Sequence, residues 1–141
     1  MEYSNIIKSP VDGDVFCECD SGWNLIIQNA IYSIDSYLIN TNNGKELLNK
    51  ARKESNKKFY TQIKEKFGGL RIYVSYHDDF INGVTAMAEN MSKATCEITG
   101  NSGVLCKKFY NLKTLDPYSK YAIENGYVPF HSNDKLKEAI V

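Results

Sequence analysis

The segment KEKFGGLRIYV, residues 64–74, places two lysines and an arginine around a double glycine. Such cations neutralise phosphates or carboxylates, and tyrosine rings supply stacking or contact surfaces. If residues 59–75 form a hairpin, alternation brings five side chains to one surface: Tyr60, Lys64, Lys66, Arg71 and Tyr73. We predict that this surface binds an anionic partner. The alternative is a solvated sheet face, where lysines discourage edge pairing and tyrosines supply β propensity.

Residues suited to catalysis are scarce, because the chain has only two histidines, His77 and His131. General acid–base and nucleophilic catalysis usually need a histidine, paired carboxylates or an activated nucleophile. The run His77-Asp78-Asp79 matches part of a metal-dependent phosphohydrolase dyad, but the remaining ligands would have to come from unrelated loops. Asp78 is better suited to cap a helix. We therefore predict a protein that is not an enzyme and that uses no cofactor.

The four cysteines are Cys17, Cys19, Cys96 and Cys106. The N-terminal sequence MEYSNIIKSP lacks the basic start and apolar core of a secretory signal, so we expect a cytoplasmic protein with reduced thiols. A zinc site built from all four cysteines stays open as an alternative. However, the one-residue spacing of Cys17 and Cys19 does not suit a zinc knuckle, so no metal is predicted.

The formal charge of zero conceals an uneven distribution. Residues 1–44 hold one base and six acids, whereas residues 45–73 hold nine bases and three acids. Such a sign change can mark an anion-binding patch or an attraction between two parts of one domain. The patch would vanish if the early carboxylates, at positions 12, 14, 18 and 20, covered the basic segment.

Helical and strand periodicities alternate along the chain. Residues 1–20 read as irregular, and a helix opening at Asp20 or Ser21 carries an apolar stripe at three-four spacing: Trp23, Ile26, Ile27, Ala30, Ile31, Ile34, Tyr37 and Leu38. The segment TNNG, residues 41–44, is expected to end it, and a basic helix then begins at Lys45. From Phe59 the period changes to two, with Phe59, Ile63 and Phe67 turned inward and the turn at Gly68-Gly69.

A third helix is predicted after Asp78, with a buried stripe of Phe80, Ile81, Val84, Met87, Ala88 and Met91. Beyond it, residues 95–98 and 104–110 read as short strands around the turn TGNSG, and Asp116-Pro117 opens a short helix. The tail KLKEAI reads as one more helical turn. With 141 residues and no apolar run long enough to cross a bilayer, we expect one domain, residues 1–141, of the α+β class. It consists of a small antiparallel sheet or hairpin packed against two or three helices.

The order SGWNLI, IKEKFGGLRIYV, TCEITGNSG and KTLDPY resembles a family of small, uncharacterised proteins common in bacteriophage and prophage genomes. The resemblance covers roughly residues 17–122, and KEKFGGLR is its specific part. It implies a C-terminal zinc ribbon, from which this chain departs. Cys96 stands at the first ligand position, but Thr99, Asp116 and Ser119 stand at the others. We expect a degenerate ribbon held by apolar contacts from Ile98, Val104, Leu105, Phe109, Tyr110 and Leu112.

Three classes of function follow. The first is a phage-type counter-defence protein that binds and inhibits a host immune protein, as anti-CRISPR proteins do; ten tyrosines suit an interface. The second is a sponge that sequesters an anionic nucleotide-derived signal, with a homodimer completing the site. The third is a nucleic-acid-binding accessory protein, although zero net charge and only two arginines predict weak or no duplex binding.

Overall fold

A computed structural model describes residues 5–54 and 58–130 of the chain. Its α+β architecture confirms the predicted class. The strands are β1 (Ile6–Ser9), β2 (Gly13–Glu18), β3 (Tyr60–Lys66), β4 (Gly69–Val74), β5 (Val104–Lys108), β6 (Asn111–Leu115) and β7 (Val128–Pro129). The α-helices are α1 (Asn24–Asn40), α2 (Asn42–Glu54), α3 (Asp79–Ser92) and α4 (Lys120–Asn125).

The first sheet has the order β1-β2-β3-β4 and is mixed. The pairs β1–β2 and β3–β4 are antiparallel hairpins, whereas β2 runs parallel to β3 with Cys17 opposite Ile63. The expectation of irregular structure over residues 1–20 is therefore wrong for residues 6–9 and 13–18, and residues 1–4 lie outside the described ranges. Residues 6–18 alternate between exposed and buried positions, and their buried members are Ile7, Ser9, Val15 and Cys17. Acidic residues between these positions obscure the strand signal.

Helices α1 and α3 pack against this sheet, and α2 packs against α1. Trp23, Ile27, Ile34 and Leu38 are completely buried along the α1 stripe, as predicted. A 3-10 turn over Ser21–Trp23 leads into α1, and Asp20 makes no side-chain cap hydrogen bond. No helix in the described ranges is long and apolar enough to span a membrane.

The segment TNNG does not separate the first two helices, because only Thr41 lies between α1 and α2. Gly44 lies inside α2, where an added Cβ would stand 2.0 Å from the carbonyl oxygen of Tyr37. The glycine is therefore required by a close helix crossing rather than by a helix end.

The third helix begins as predicted, since the Asp78 carboxylate accepts a 3.1 Å hydrogen bond from the backbone N–H of Ile81. Its predicted stripe is only partly buried: Ile81 and Ala88 face the core, whereas Phe80, Met87 and Met91 are largely exposed. At its end, the Ser92 hydroxyl accepts a 2.9 Å hydrogen bond from the Leu70 backbone N–H at the outer edge of β4.

The C-terminal part forms a second sheet of order β6-β5-β7 with α4 beside it. Residues 95–98 are not a strand, since only Thr95 makes an isolated bridge. The partners of β5 are the unpredicted strands β6 and β7. The small core of this sheet consists of Cys96, Cys106, Leu115 and Ala122. Val104, Phe109 and Tyr110 were expected to hold the ribbon together but are exposed. The predicted turn at KLKEAI lies outside the described residues.

Candidate binding cleft between two hairpins

The turn of the first hairpin consists of Phe67 and Gly68, because Lys66 pairs with Gly69. Both turn residues have positive φ, 52° for Phe67 and 82° for Gly68, as a type I′ turn requires. The turn therefore lies one residue before the predicted Gly68-Gly69, and Phe67 does not turn inward. A non-glycine residue in this region costs about 1–2 kcal/mol and persists only where the surroundings hold it.

Two side chains hold this turn in place. The Glu65 carboxylate accepts a 2.7 Å hydrogen bond from the Gly68 N–H, and the Thr114 hydroxyl donates one of 2.6 Å to the Gly68 carbonyl oxygen. Gly68 also packs against the second sheet, where an added Cβ would lie 2.6 Å from Leu105 Cδ1. The Phe67 side chain remains 71% exposed. The fold thus fixes a strained aromatic residue in solvent.

The second hairpin repeats this arrangement. Lys108 pairs with Asn111, so Phe109 and Tyr110 form the turn, and Phe109 again has a positive φ of 54°. Phe109 is 87% exposed and Tyr110 is completely exposed. Both hairpins therefore present large aromatic side chains that contribute little to the core.

A cleft of about 450 Å³ separates the two hairpins. Residues 64–67 of the first hairpin form one wall, residues 110–113 of the second form the other, and Tyr127 also lines it. We call this space the hairpin cleft. The ring of Tyr127 stacks on Tyr121 with centroids 6.2 Å apart, which fixes its position.

The hairpin cleft carries three lysines. Lys113 forms a 3.1 Å ion pair with the buried carboxylate of Glu97. Burial raises the pKa of Glu97, whereas the charge of Glu97 raises the pKa of Lys113 despite the burial of the ammonium group. Lys64 and Lys66 form no ion pair with any residue that the structure describes. The Lys66 ammonium lies over the exposed Phe67 ring, 5.8 Å from its centroid. With no carboxylate bound to them among the described residues, both lysines are available to an anionic ligand.

Tyr60 does not share the surface of Lys64 and Lys66, contrary to the prediction. A bulge between Tyr60 and Gln62 shifts the register, so Tyr60 faces the core with Val74, its partner on β4. Its hydroxyl donates a 2.6 Å hydrogen bond to buried Asp35, which also accepts a 2.7 Å bond from Ser9. Burial raises the pKa of Asp35, and the two hydrogen bonds offset part of this shift.

Arg71 lies opposite Lys64 on the predicted face, but its guanidinium is ion-paired with Glu89 of α3. The hydrogen bond from Arg71 is the main reason why the pKa of Glu89 is lowered. Tyr73 lies farther along β4 and is 40% exposed, outside the hairpin cleft. Of the five predicted residues, Lys64 and Lys66 line the cleft.

The acidic N-terminal segment contacts the basic segment at two places. Glu18 lies beside Lys64, its partner on β3, and accepts a 3.3 Å hydrogen bond from the Gln62 side chain. Asp12 accepts hydrogen bonds of 2.9 and 2.8 Å from the N–H groups of Phe59 and Tyr60, and Asp14 pairs with Lys8. Arg52 donates to the Val11 carbonyl oxygen at 3.0 Å. Asp12 and Asp14 therefore form no ion pair with Lys64 or Lys66, and Glu18 is the early carboxylate nearest in register to the cleft.

The C-terminal segment retains part of a knuckle geometry around Cys96. Burial alone would raise the pKa of this thiol, but hydrogen bonds from Thr99 and from the N–H groups of Asp116, Thr99 and Ile98 lower it. Three of the four expected ligand positions thus converge, with one thiol among them. No group of three or more His, Cys, Asp or Glu side chains in the described part could hold a metal, so the alternative four-cysteine site is not formed.

Tyr110, Lys113 and Tyr127 were missed by the sequence analysis, as was the exposed position of Phe67. The sequence signal that could have identified them is the pair of similar segments KFGG and KFYN, in each of which a lysine precedes a phenylalanine at the turn. No family model matches the chain, and the searches of curated proteins and of solved structures give no match.

Proposed function

We propose that this chain is a non-enzymatic counter-defence protein of the phage type, which binds and inhibits a host immune protein through the hairpin cleft and the exposed rings of Phe67 and Tyr110 that line it. The observation that carries the proposal is the exposure of Phe67, held in a strained backbone conformation by Glu65 and Thr114. Such strain is expected where function offsets its cost.

The composition of the surface supports a protein partner. Exposed phenylalanine and tyrosine at rigid turns provide anchors of the kind that dominate interface energetics. Lys64 and Lys66 add charge that steers association with an acidic surface and makes it sensitive to salt.

The test is phage plating on a bacterial host that carries a defined immune system, with and without the protein. We expect the wild-type protein to restore plating and the Phe67→Ala/Tyr110→Ala variant to lose this effect. Tyr32→Ala, which removes an exposed aromatic side chain on α1, is the matched control and should behave as wild type. Full inhibition by the double variant, with equal protein levels, would contradict the proposal.

The charge contribution is tested separately. We expect Lys64→Ala/Lys66→Ala to weaken inhibition with little change in the melting temperature, because neither lysine has an ion-pair partner among the described residues and the contact of Lys66 with the Phe67 ring is exposed to solvent. Arg71→Ala should instead lower stability slightly and leave inhibition intact, since this arginine is engaged by Glu89. If Arg71→Ala abolished inhibition and Lys64→Ala/Lys66→Ala did not, the binding site would lie on the exposed face of β4 instead.

A second candidate is sequestration of an anionic nucleotide-derived signal, favoured by the size of the hairpin cleft and by its lysines and Tyr127. A ligand present at about 100 times its dissociation constant adds about 2.7 kcal/mol to the free energy of unfolding. The melting temperature should therefore rise by several degrees in the presence of the cyclic nucleotide that binds, when a panel of these compounds is tested. An unchanged melting temperature with every compound would exclude this candidate.

A further inference from the structure

Within the described residues, strand β6 leaves the backbone of Leu112 unpaired at the edge that faces the hairpin cleft. It is an end strand of its sheet, and the Thr114 carbonyl oxygen points outward, where it accepts a 3.0 Å hydrogen bond from the Glu97 N–H. In an antiparallel pair, alternate residues turn their N–H and C=O groups to the same edge, so Leu112 points outward as Thr114 does. No described residue forms a backbone hydrogen bond with Leu112 on that side.

The wall opposite this edge carries two lysines, Lys64 and Lys66, and one carboxylate, so its net charge is positive. Glu65 is the carboxylate on that wall, and it is bonded to the Gly68 N–H. Glu97, beneath the cleft, is paired with Lys113. Lys64 and Lys66 therefore supply positive charge beside an unpaired strand edge.

These features together indicate the chemistry of the occupant. An added peptide strand offers both N–H donors and C=O acceptors to an edge such as that at Leu112, whereas a nucleic-acid backbone has no N–H donor. Acidic side chains on that strand would meet the lysines, and its apolar side chains would meet Phe67 and Tyr110.

We propose that the hairpin cleft binds an extended acidic segment of the partner protein, which pairs with β6 as an additional strand at Leu112. This inference rests on the proposed function, since it specifies how the partner of that same site is recognised. The carboxylates of the segment contact Lys64 and Lys66.

The experiment uses the full chain and a fluorescein-labelled peptide of alternating Glu and Val, seven residues long, in anisotropy titrations. We expect saturable binding below about 1 mM, and at least tenfold weaker binding of the matched Lys and Val peptide. Weaker or charge-independent binding overturns the proposal. A labelled oligothymidine of seven nucleotides is titrated in parallel, and tighter binding of that probe overturns it in favour of nucleic acid.

Strand pairing is tested with two backbone-methylated peptides, one methylated on every Glu nitrogen and one on every Val nitrogen. Alternate N–H groups of a strand face opposite edges, so we expect one pattern to abolish binding and the other to preserve it. An equal effect of the two patterns overturns strand addition.

The protein side is tested with Leu112→Pro, which removes the outward N–H of an edge strand, a place where proline is tolerated. We expect this variant to fold and to bind the peptide at least tenfold more weakly, whereas Tyr32→Ala, at an exposed position on α1, binds as wild type. If Leu112→Pro fails to fold, the methylated peptides decide. If the wild-type protein does not bind the peptide, but Phe67→Ala/Tyr110→Ala still loses immune inhibition, this inference is refuted and the proposed function stands.

Discussion

The Thr114 hydroxyl donates a 2.6 Å hydrogen bond to the carbonyl oxygen of Gly68, 46 positions away in the sequence and in the other sheet. Both residues are buried. This bond fixes the turn of the first hairpin on the second sheet, and the geometry of the hairpin cleft depends on it.

Replacing this threonine should therefore affect both stability and binding. Thr114→Val keeps the shape of the side chain but leaves the buried Gly68 carbonyl oxygen without its donor, which costs about 1–3 kcal/mol. Urea denaturation measures the loss. Thr61→Val, at an exposed strand position, is the control and should change stability by less than about 0.5 kcal/mol. Equal stability of the two variants would show that the bond does not hold the hairpins together.

The strained turn gives a prediction in which stability and function move in opposite directions. Phe67→Asn places a residue that tolerates positive φ before Gly68, so the free energy of unfolding should rise by about 0.5–1 kcal/mol. Immune inhibition should fall, because the aromatic ring at the cleft is gone. Phe109→Asn relieves the same strain outside the cleft and should keep inhibition. If Phe67→Asn lowers stability, the ring contributes to folding rather than to binding.

Tyr60 should matter for folding alone. Tyr60→Phe removes the hydrogen bond to buried Asp35, and we expect a loss of about 1–3 kcal/mol in urea denaturation with unchanged inhibition by the folded protein. Tyr73→Phe on the exposed face of β4 is the control, with little effect on stability. Loss of inhibition in a folded Tyr60→Phe variant would show that Tyr60 belongs to the binding surface, as the sequence predicted.

The pH dependence of stability should reveal Asp35. Burial raises its pKa, so the folded protein binds this proton more tightly than the unfolded chain does. The resulting stabilisation is complete below the unfolded pKa, near 3.9, and is lost as pH rises through the folded pKa. Asparagine does not titrate. The stability of the wild type relative to Asp35→Asn should therefore fall as the pH rises above about 4, and a constant difference would contradict the assignment.

The hydrogen bonds around Cys96 predict that a metal can be introduced. In Thr99→Cys/Asp116→Cys/Ser119→Cys, four thiols would occupy the expected ligand positions, and we expect one zinc per chain and thiolate-to-cobalt absorption after Co²⁺ substitution. Thr99→Ser/Asp116→Asn/Ser119→Thr is the control and should bind no metal. A triple cysteine variant that remains metal-free would show that the knuckle geometry is lost.

Local patterns were sufficient for the parts of the fold that local forces determine. The stripe of α1, the cap of α3 at Asp78 and the pair β3–β4 all follow from spacing within a few residues. The strands of residues 6–18 were missed because their pattern is short and because β2 finds its partner near Ile63, which no local window contains.

The candidate site was predictable only in part for the same reason. Lys64 and Lys66 were predicted correctly because both lie in one hairpin, whose alternating pattern is local. The same rule of alternating side chains cannot predict the bulge that turns Tyr60 inward. Tyr110, Lys113 and Tyr127 join the lysines only because the second sheet packs on Gly68. A contact between distant segments leaves little trace in the local pattern of either.

The parallel pairing of β2 with β3 also determines when the domain can be completed on the ribosome. Cys17 emerges early in synthesis, but Ile63 must follow before β2 gains its neighbour. Until then, the β1–β2 ribbon of the nascent chain has an open side that invites pairing with other chains. A truncated product that ends before Tyr60 should therefore self-associate, whereas the full chain closes this edge with its own β3.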